Sequence, residues 1–107
     1  MLYELRIYEV VPGKLEALKA RFVNHAIPLW KKHGIKLVGF WEPLVGTSNQ
    51  LVYILEFNDM GHREKVWQAF MDDPEWQQAR RETEKDGPLV ARVINSFWRP
   101  TPFSPLQ

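Results

Sequence analysis

The 107-residue sequence contains no cysteine, which excludes disulfides, thiolate nucleophiles and cysteine-bound metal and fits a reducing cytosol. It has no apolar run approaching the roughly 20 residues that cross a bilayer, so no membrane partner is expected. Neither sign of charge dominates. Fourteen Lys and Arg face 13 Asp and Glu, and the net charge of +1 gives no electrostatic case for nucleic acid or an anionic membrane. The chain enters an alternating segment at once, with an acid at Glu4, and lacks the basic and apolar regions of a secretory leader. A cytoplasmic location is therefore expected. Gly-rich phosphate loops are also missing, since "PGK" and "VGTSN" lack a strand-to-helix setting. Ser48, Ser96 and Ser104 have no Gly-x-Ser-x-Gly context, which argues against a hydrolase triad. The histidines His25, His33 and His62 fall on separate elements without ligand spacing, so neither a metal nor a cofactor is expected.

What the sequence has in quantity is aromatic residues: five Trp, three Tyr and six Phe, enough for an aromatic core or an apolar pocket. Its first phrase, "YELRIYEV", alternates: Tyr3, Leu5 and Ile7 share one face of a strand, and Glu4, Arg6 and Tyr8 share the other. "VPGK" is a turn. Leu15, Leu18, Phe22, His25 and Leu29 then recur at helical spacing, an apolar stripe with His25 inside it, and Pro28 predicts a kink near His25. Lys31, Lys32 and His33 in the last turn and Gly34 beyond it predict the helix end.

"IKLVGFWEP" and "QLVYILEF" read as a strand pair joined by "LVGTSN". Asn58 or Asp59 caps a second helix. Asp73 and Pro74 start a short third one, with Trp76 anchoring it on the body. "LVARVINSFWR" is the fourth strand, and residues 100–107 read as an extended, proline-rich arm. The order is βαββαβ. One α+β domain over 1–107 is predicted: a ferredoxin-like four-stranded antiparallel sheet with its main helices on one side.

Such a sheet keeps one face bare, and here both faces read as apolar. On the second strand Ile35, Leu37 and Trp41 oppose Val38 and Phe40. On the third, Leu51, Tyr53, Leu55 and Phe57 oppose Val52 and Ile54. Leaving about seven large side chains in water forgoes roughly 10–20 kcal/mol, comparable to the 5–15 kcal/mol that stabilises a whole domain. The simplest cover is a second copy, sheet against sheet, so a homodimer is expected. Glu4, Arg6 and Tyr8 would then face the space between the sheets, with Glu4 pairing Arg6.

The phrases "YELRIYEVVPGKLEALKARF", "HGIKLVGFW", "NQLVYILEF", "DPEW" and above all "RPTPFSP" resemble the NIPSNAP family of the dimeric α+β barrel superfamily, in order along nearly the whole chain. The resemblance implies two ferredoxin-like protomers packing their sheets into a barrel. The wider superfamily it implies includes cofactor-independent monooxygenases, haem-degrading enzymes, isomerases and plain ligand-binding barrels, and animal relatives are associated with protein interactions. Kinship at that level does not transfer chemistry.

Two functions follow as expectations. One is a dimeric barrel binding a small apolar, carbonyl-bearing molecule between the sheets, with Arg6, Tyr8, Trp41, Tyr53 and Asn95 lining the site. It would act as a cofactor-independent oxygenase or isomerase, with His25, Arg6 and Tyr8 as the candidate catalytic residues. The other is a non-enzymatic interaction module with a filled barrel. A pocket of roughly 300–1,000 Å³ holding Arg6 and Tyr8 distinguishes the first from the second.

Overall fold

The alternation that opens the chain becomes strand β1 (Leu2–Val10) in a computed structural model that describes residues 1–107. Three further strands follow: β2 (Lys36–Trp41), β3 (Gln50–Phe57) and β4 (Val90–Trp98). The sheet order is β2-β3-β1-β4 and every neighbouring pair is antiparallel. This is the expected ferredoxin-like α+β fold.

The first helical region runs as α1 (Leu15–Arg21), a π-helical turn (Phe22–Ala26) and α2 (Ile27–His33). The expected disturbance beside Pro28 is thus a widened turn rather than a sharp kink. Its physical reason is phase. Leu18, Phe22, Ala26 and Trp30 all face inward at four-residue steps, which overrun an α turn of about 3.6 residues. The wider turn absorbs the excess, just where Pro28 cannot donate to the preceding carbonyls. His25 consequently leaves the apolar stripe that its spacing predicted and turns outward, half-buried beside Pro74 and Glu75. Gly34 ends α2 in the left-handed conformation at φ 77°.

Helix α3 (Met60–Asp72) is capped by the Asp59 side chain, which accepts the His62 N–H at 2.7 Å. Helix α4 (Pro74–Thr83) starts as expected, with the Asp73 carboxylate accepting the Glu75 N–H at 2.9 Å and Pro74 at the first position. Trp76 is buried against Phe70, with ring centroids 4.7 Å apart.

Register settles which sheet face the helices cover. Glu4, Arg6 and Tyr8 pair with Leu55, Tyr53 and Leu51 on one side and Phe97, Asn95 and Val93 on the other. Tyr8 and Tyr53 pack on Phe22 of the π turn, so this is the helix-covered face. The expectation that Glu4, Arg6 and Tyr8 face a space between two sheets is therefore corrected: they lie inside a single chain. The bare face carries Tyr3, Leu5 and Ile7 with Val52, Ile54, Ile94 and Trp98. The β2 pattern was also misaligned, because a bulge between Leu37 and Gly39 flips the alternation. Leu37 and Phe40 consequently face the helices, and Trp41 lies on the bare side across Gly39.

Residues 100–107 are not extended. The Ser104 N–H closes a turn onto the Thr101 carbonyl at 3.1 Å, with Pro102 fixing the backbone between them. The Tyr3 hydroxyl then holds the chain end through the Gln107 carbonyl at 2.7 Å.

Candidate functional site

Strand β1 places three polar side chains under the helices, where each needs partners. Glu4, fully buried, receives four hydrogen bonds. Arg6 Nη1 donates at 2.8 Å, Asn95 Nδ2 at 2.9 Å, and Arg63 Nε and Nη2 at 3.1 Å each. Burial pushes the Glu4 carboxyl up, but the bonds from Arg63 and Asn95 and the Arg6 charge outweigh it and hold it below the usual range. Arg6 is held more firmly protonated than a free guanidinium: burial opposes the charge, and the oxygens of Tyr53, Tyr8 and Glu4 overcome it. Its plane lies 4.6 Å from the Trp67 ring centroid.

The remaining Arg6 donors reach two hydroxyls, Nε to Tyr53 Oη at 2.7 Å and Nη2 to Tyr8 Oη at 3.3 Å, and the hydroxyls are 2.9 Å apart. Counting protons assigns the rest. Tyr53 is sealed from solvent and has one acceptor in reach, Tyr8 Oη. The deeper burial of Tyr53 favours Tyr53 as donor to Tyr8, which lines a cavity, and in that arrangement the Tyr8 proton has no acceptor in the protein. Burial also raises the Tyr53 phenol well above its ordinary value, so it stays neutral.

The free Tyr8 hydroxyl proton belongs to a residue that lines a cavity of about 320 Å³ between the sheet and the helices. Phe22, Ala26 and Trp30 form one wall, and Trp67, Phe70, Met71 and Trp76 form another. The β4 stretch 90–93 closes a side. Arg80, whose side chain is 55% exposed, marks the mouth, while Arg92 borders the cavity along the β4 edge and turns its side chain to Glu9 on the other sheet face. Glu84 and the buried Arg21 lie between mouth and floor.

Of the residues expected in a site, Arg6, Tyr8, Tyr53 and Asn95 come together, the last two as supports of the network rather than as cavity lining. Trp41 does not join them, being on the bare sheet face and at the rim of a separate hollow with Phe40 and Leu51. His25 faces shallow hollows shared with Glu75 and Gln78, away from Tyr8. Sequence reasoning missed Arg21, Trp30 and Trp67. A signal for Arg21 was present: three residues after Leu18 and one before Phe22, it falls on the inner side of α1.

The sequence pattern of the NIPSNAP family matches residues 3–105. The chain belongs to the NIPSNAP family. It is 32% identical over 79 residues to the human protein NipSnap homolog 3A, a stretch covering 73% of this chain and 31% of that protein. It thus spans about a third of that relative's length. A NIPSNAP family protein from Agrobacterium tumefaciens superposes with a TM-score of 0.87 at 29% identity, over 100% of this chain and 94% of that one. A NIPSNAP-like domain protein from Burkholderia xenovorans gives 0.86 at 27% identity, over 97% and 88% of the two chains. The NIPSNAP fold extends further: a putative antibiotic biosynthesis monooxygenase from Nitrosomonas europaea superposes with a TM-score of 0.64 at 14% identity, covering 94% and 98% of the two chains. That last likeness shows the fold alone.

Proposed function

We propose that this NIPSNAP protein binds a small apolar, carbonyl-bearing molecule in the cavity between its sheet and its helices, and that it does so as a homodimer joined through the bare sheet face. The observation that carries the first half is the Tyr8 hydroxyl, which lines an aromatic-walled space, accepts from Arg6 at 3.3 Å and lies 2.9 Å from Tyr53 Oη; with Tyr53 as the donor of that pair, Tyr8 offers its own proton to the space. The Arg6 charge on the same oxygen polarises the hydroxyl and strengthens it as a donor. A carbonyl oxygen satisfies it, while the indole and phenyl walls take an apolar body.

The chemistry these residues support is binding and polarisation of that carbonyl. Cofactor-independent oxygenation or isomerisation is the second reading, suggested by the monooxygenase-like fold, and it needs a base. Glu84 is the one carboxylate among the lining residues, and its Oε2 lies 3.2 Å from Arg80 Nε. Turnover would fall to Glu84 after Arg80 is drawn away. A non-enzymatic module with a filled interior fits less well, since the space around Arg6 and Tyr8 is open.

The test is native mass spectrometry of protein purified from its own host, reading any retained small molecule. Tyr8→Phe keeps the packing and removes the donor, so it should weaken retention roughly tenfold, the worth of one hydrogen bond of about 1–1.5 kcal/mol. Unchanged retention would remove Tyr8 from the site.

A further inference from the structure

The arginines around the cavity are not equivalent. Arg6 gives its fork to Glu4, Tyr53 and Tyr8. Arg92 Nη2 lies 2.8 Å from Glu9 Oε1, and Arg80 Nε lies 3.2 Å from Glu84 Oε2. Arg21 has no carboxylate at hydrogen-bond distance. Glu84 Oε2 is 3.7 Å from its Nη1 and already engaged by Arg80, and the same nitrogen reaches Thr83 Oγ1 only at 3.5 Å. No protein atom accepts from Arg21 Nε or Nη2. Yet Arg21 is 7% exposed. The Arg21 nitrogens without a partner are not among the fully buried ones, so they open on the cavity that Arg21 lines, and a cationic fork there calls for an acceptor. Burial pulls Arg21 below its ordinary value, and Arg80 adds to that pull against the attraction of Glu84.

The rest of the wall has the same imbalance. The Tyr8 proton has no acceptor, and the indole N–H groups of Trp30 and Trp76 are buried without one. Donors outnumber acceptors: Glu84 is the single carboxylate on the wall, it is hydrogen-bonded to Arg80, and it faces Arg21 only at 3.7 Å. A ligand that balances this brings an anion with two oxygens. The planar Arg21 fork, held against Trp76 with its carbon 5.5 Å from the ring centroid, suits a carboxylate in the same plane. The space of about 320 Å³ equals that of about ten waters at roughly 30 Å³ each, which is a single ring with a short chain.

Resting on the cavity reading above, we propose that the ligand is a small aryl oxo acid, whose carboxylate is received by Arg21 and whose carbonyl is received by Tyr8. The test is calorimetric titration of the full chain at pH 7 with 3-benzoylpropionate and with its amide, which has the same shape and no charge. The wild type should bind the acid at least tenfold more tightly than the amide. Arg21→Met should remove the preference for the acid, lowering acid affinity tenfold or more and amide affinity by less, and should melt at or above the wild-type temperature, since it removes a poorly paired charge. If Arg21→Met does not fold, Arg21→Lys decides: an acid preference reduced threefold or more supports the proposal, and an unchanged one overturns it. Equal binding of acid and amide by the wild type overturns the carboxylate assignment and leaves the cavity reading standing, provided that Tyr8→Phe weakens both compounds. No binding of either compound by the wild type overturns both.

Discussion

Asp73 shows how much a single side chain is asked to do in this fold. Its Oδ1 caps α4 through the Glu75 N–H, while its Oδ2 lies 2.9 Å from Lys32 Nζ and 2.7 Å from His33 Nε2 at the end of α2. Those bonds, from His33 first, then Lys32 and the Glu75 backbone, bring the carboxyl down to about 2. A carboxyl lowered in the folded state stabilises above its unfolded value, about 3.9, and loses that contribution as pH falls through the folded value. Asp73→Asn should therefore melt lower than wild type at pH 7, and the gap should close between about pH 4 and pH 2. A gap that stays constant across that range, read by thermal denaturation, would show that the charge on Asp73 is idle. Glu4 is likewise buried, sealed beneath α3 with Arg6, Arg63 and Asn95 around it. It organises the site without touching the cavity, since its four bonds fix the Arg6 plane from which both tyrosine hydroxyls are hung.

At the scale of elements, most of the architecture was legible and the faces were not. Periodicity found every strand, and the caps at Asp59, Asp73 and Gly34 appeared where their residue types foretold. Gly34 gives a clean check. A side chain there would meet no atom within 4 Å, so the only obstacle is its φ of 77°. Gly34→Ala should cost about 1–2 kcal/mol by denaturant titration, with ligand binding untouched; a neutral substitution would mean that the α2 end relaxes freely. Three features escaped for physical reasons. Alternation cannot say which of two apolar faces the helices cover, and what decides it is Arg63, a helix residue that reaches across to Glu4. A bulge adds one residue without a sequence mark, so Trp41 and Phe40 exchanged sides. The π turn likewise moved His25 outward and brought Ala26 in, taking the most attractive base in the sequence away from the site. Half of the candidate site was therefore readable, in Arg6, Tyr8 and their supports, because those residues share one strand face whichever way it points. The walls were not, because they come from four separate elements.

The whole molecule has two separate surfaces to account for, and they make different demands. The cavity is bounded by one chain. The C-terminal segment covers the bare sheet face only at the Tyr3 corner, where the Tyr3 hydroxyl meets Gln107; Ile94, Trp98 and Trp41 are still 41%, 48% and 51% exposed, and Leu5, Ile7, Val52 and Ile54 continue the patch between them. Its corners carry ion pairs, Arg92 with Glu9 and Lys36 with Glu56, an apolar centre within a charged rim like that of protein interfaces. Ile7 is at the middle, paired with Val52 on one side and Ile94 on the other. Ile7→Lys should put an unpaired charge at the centre of the proposed dimer contact, which costs roughly 3 kcal/mol or more and weakens association over a hundredfold. Sedimentation should then show a folded monomer at micromolar concentration where the wild type is a dimer. A wild type that already sediments as a monomer removes the dimer from the proposed function. The same variant separates the two surfaces, because Ile7 points away from Tyr8, which is next to it in the chain and on the opposite face. Ligand affinity should survive monomerisation within about twofold if the site is enclosed by one protomer. Its loss together with the dimer would mean that the binding site needs the partner sheet after all, and that the cavity beneath the helices is not where the molecule is held.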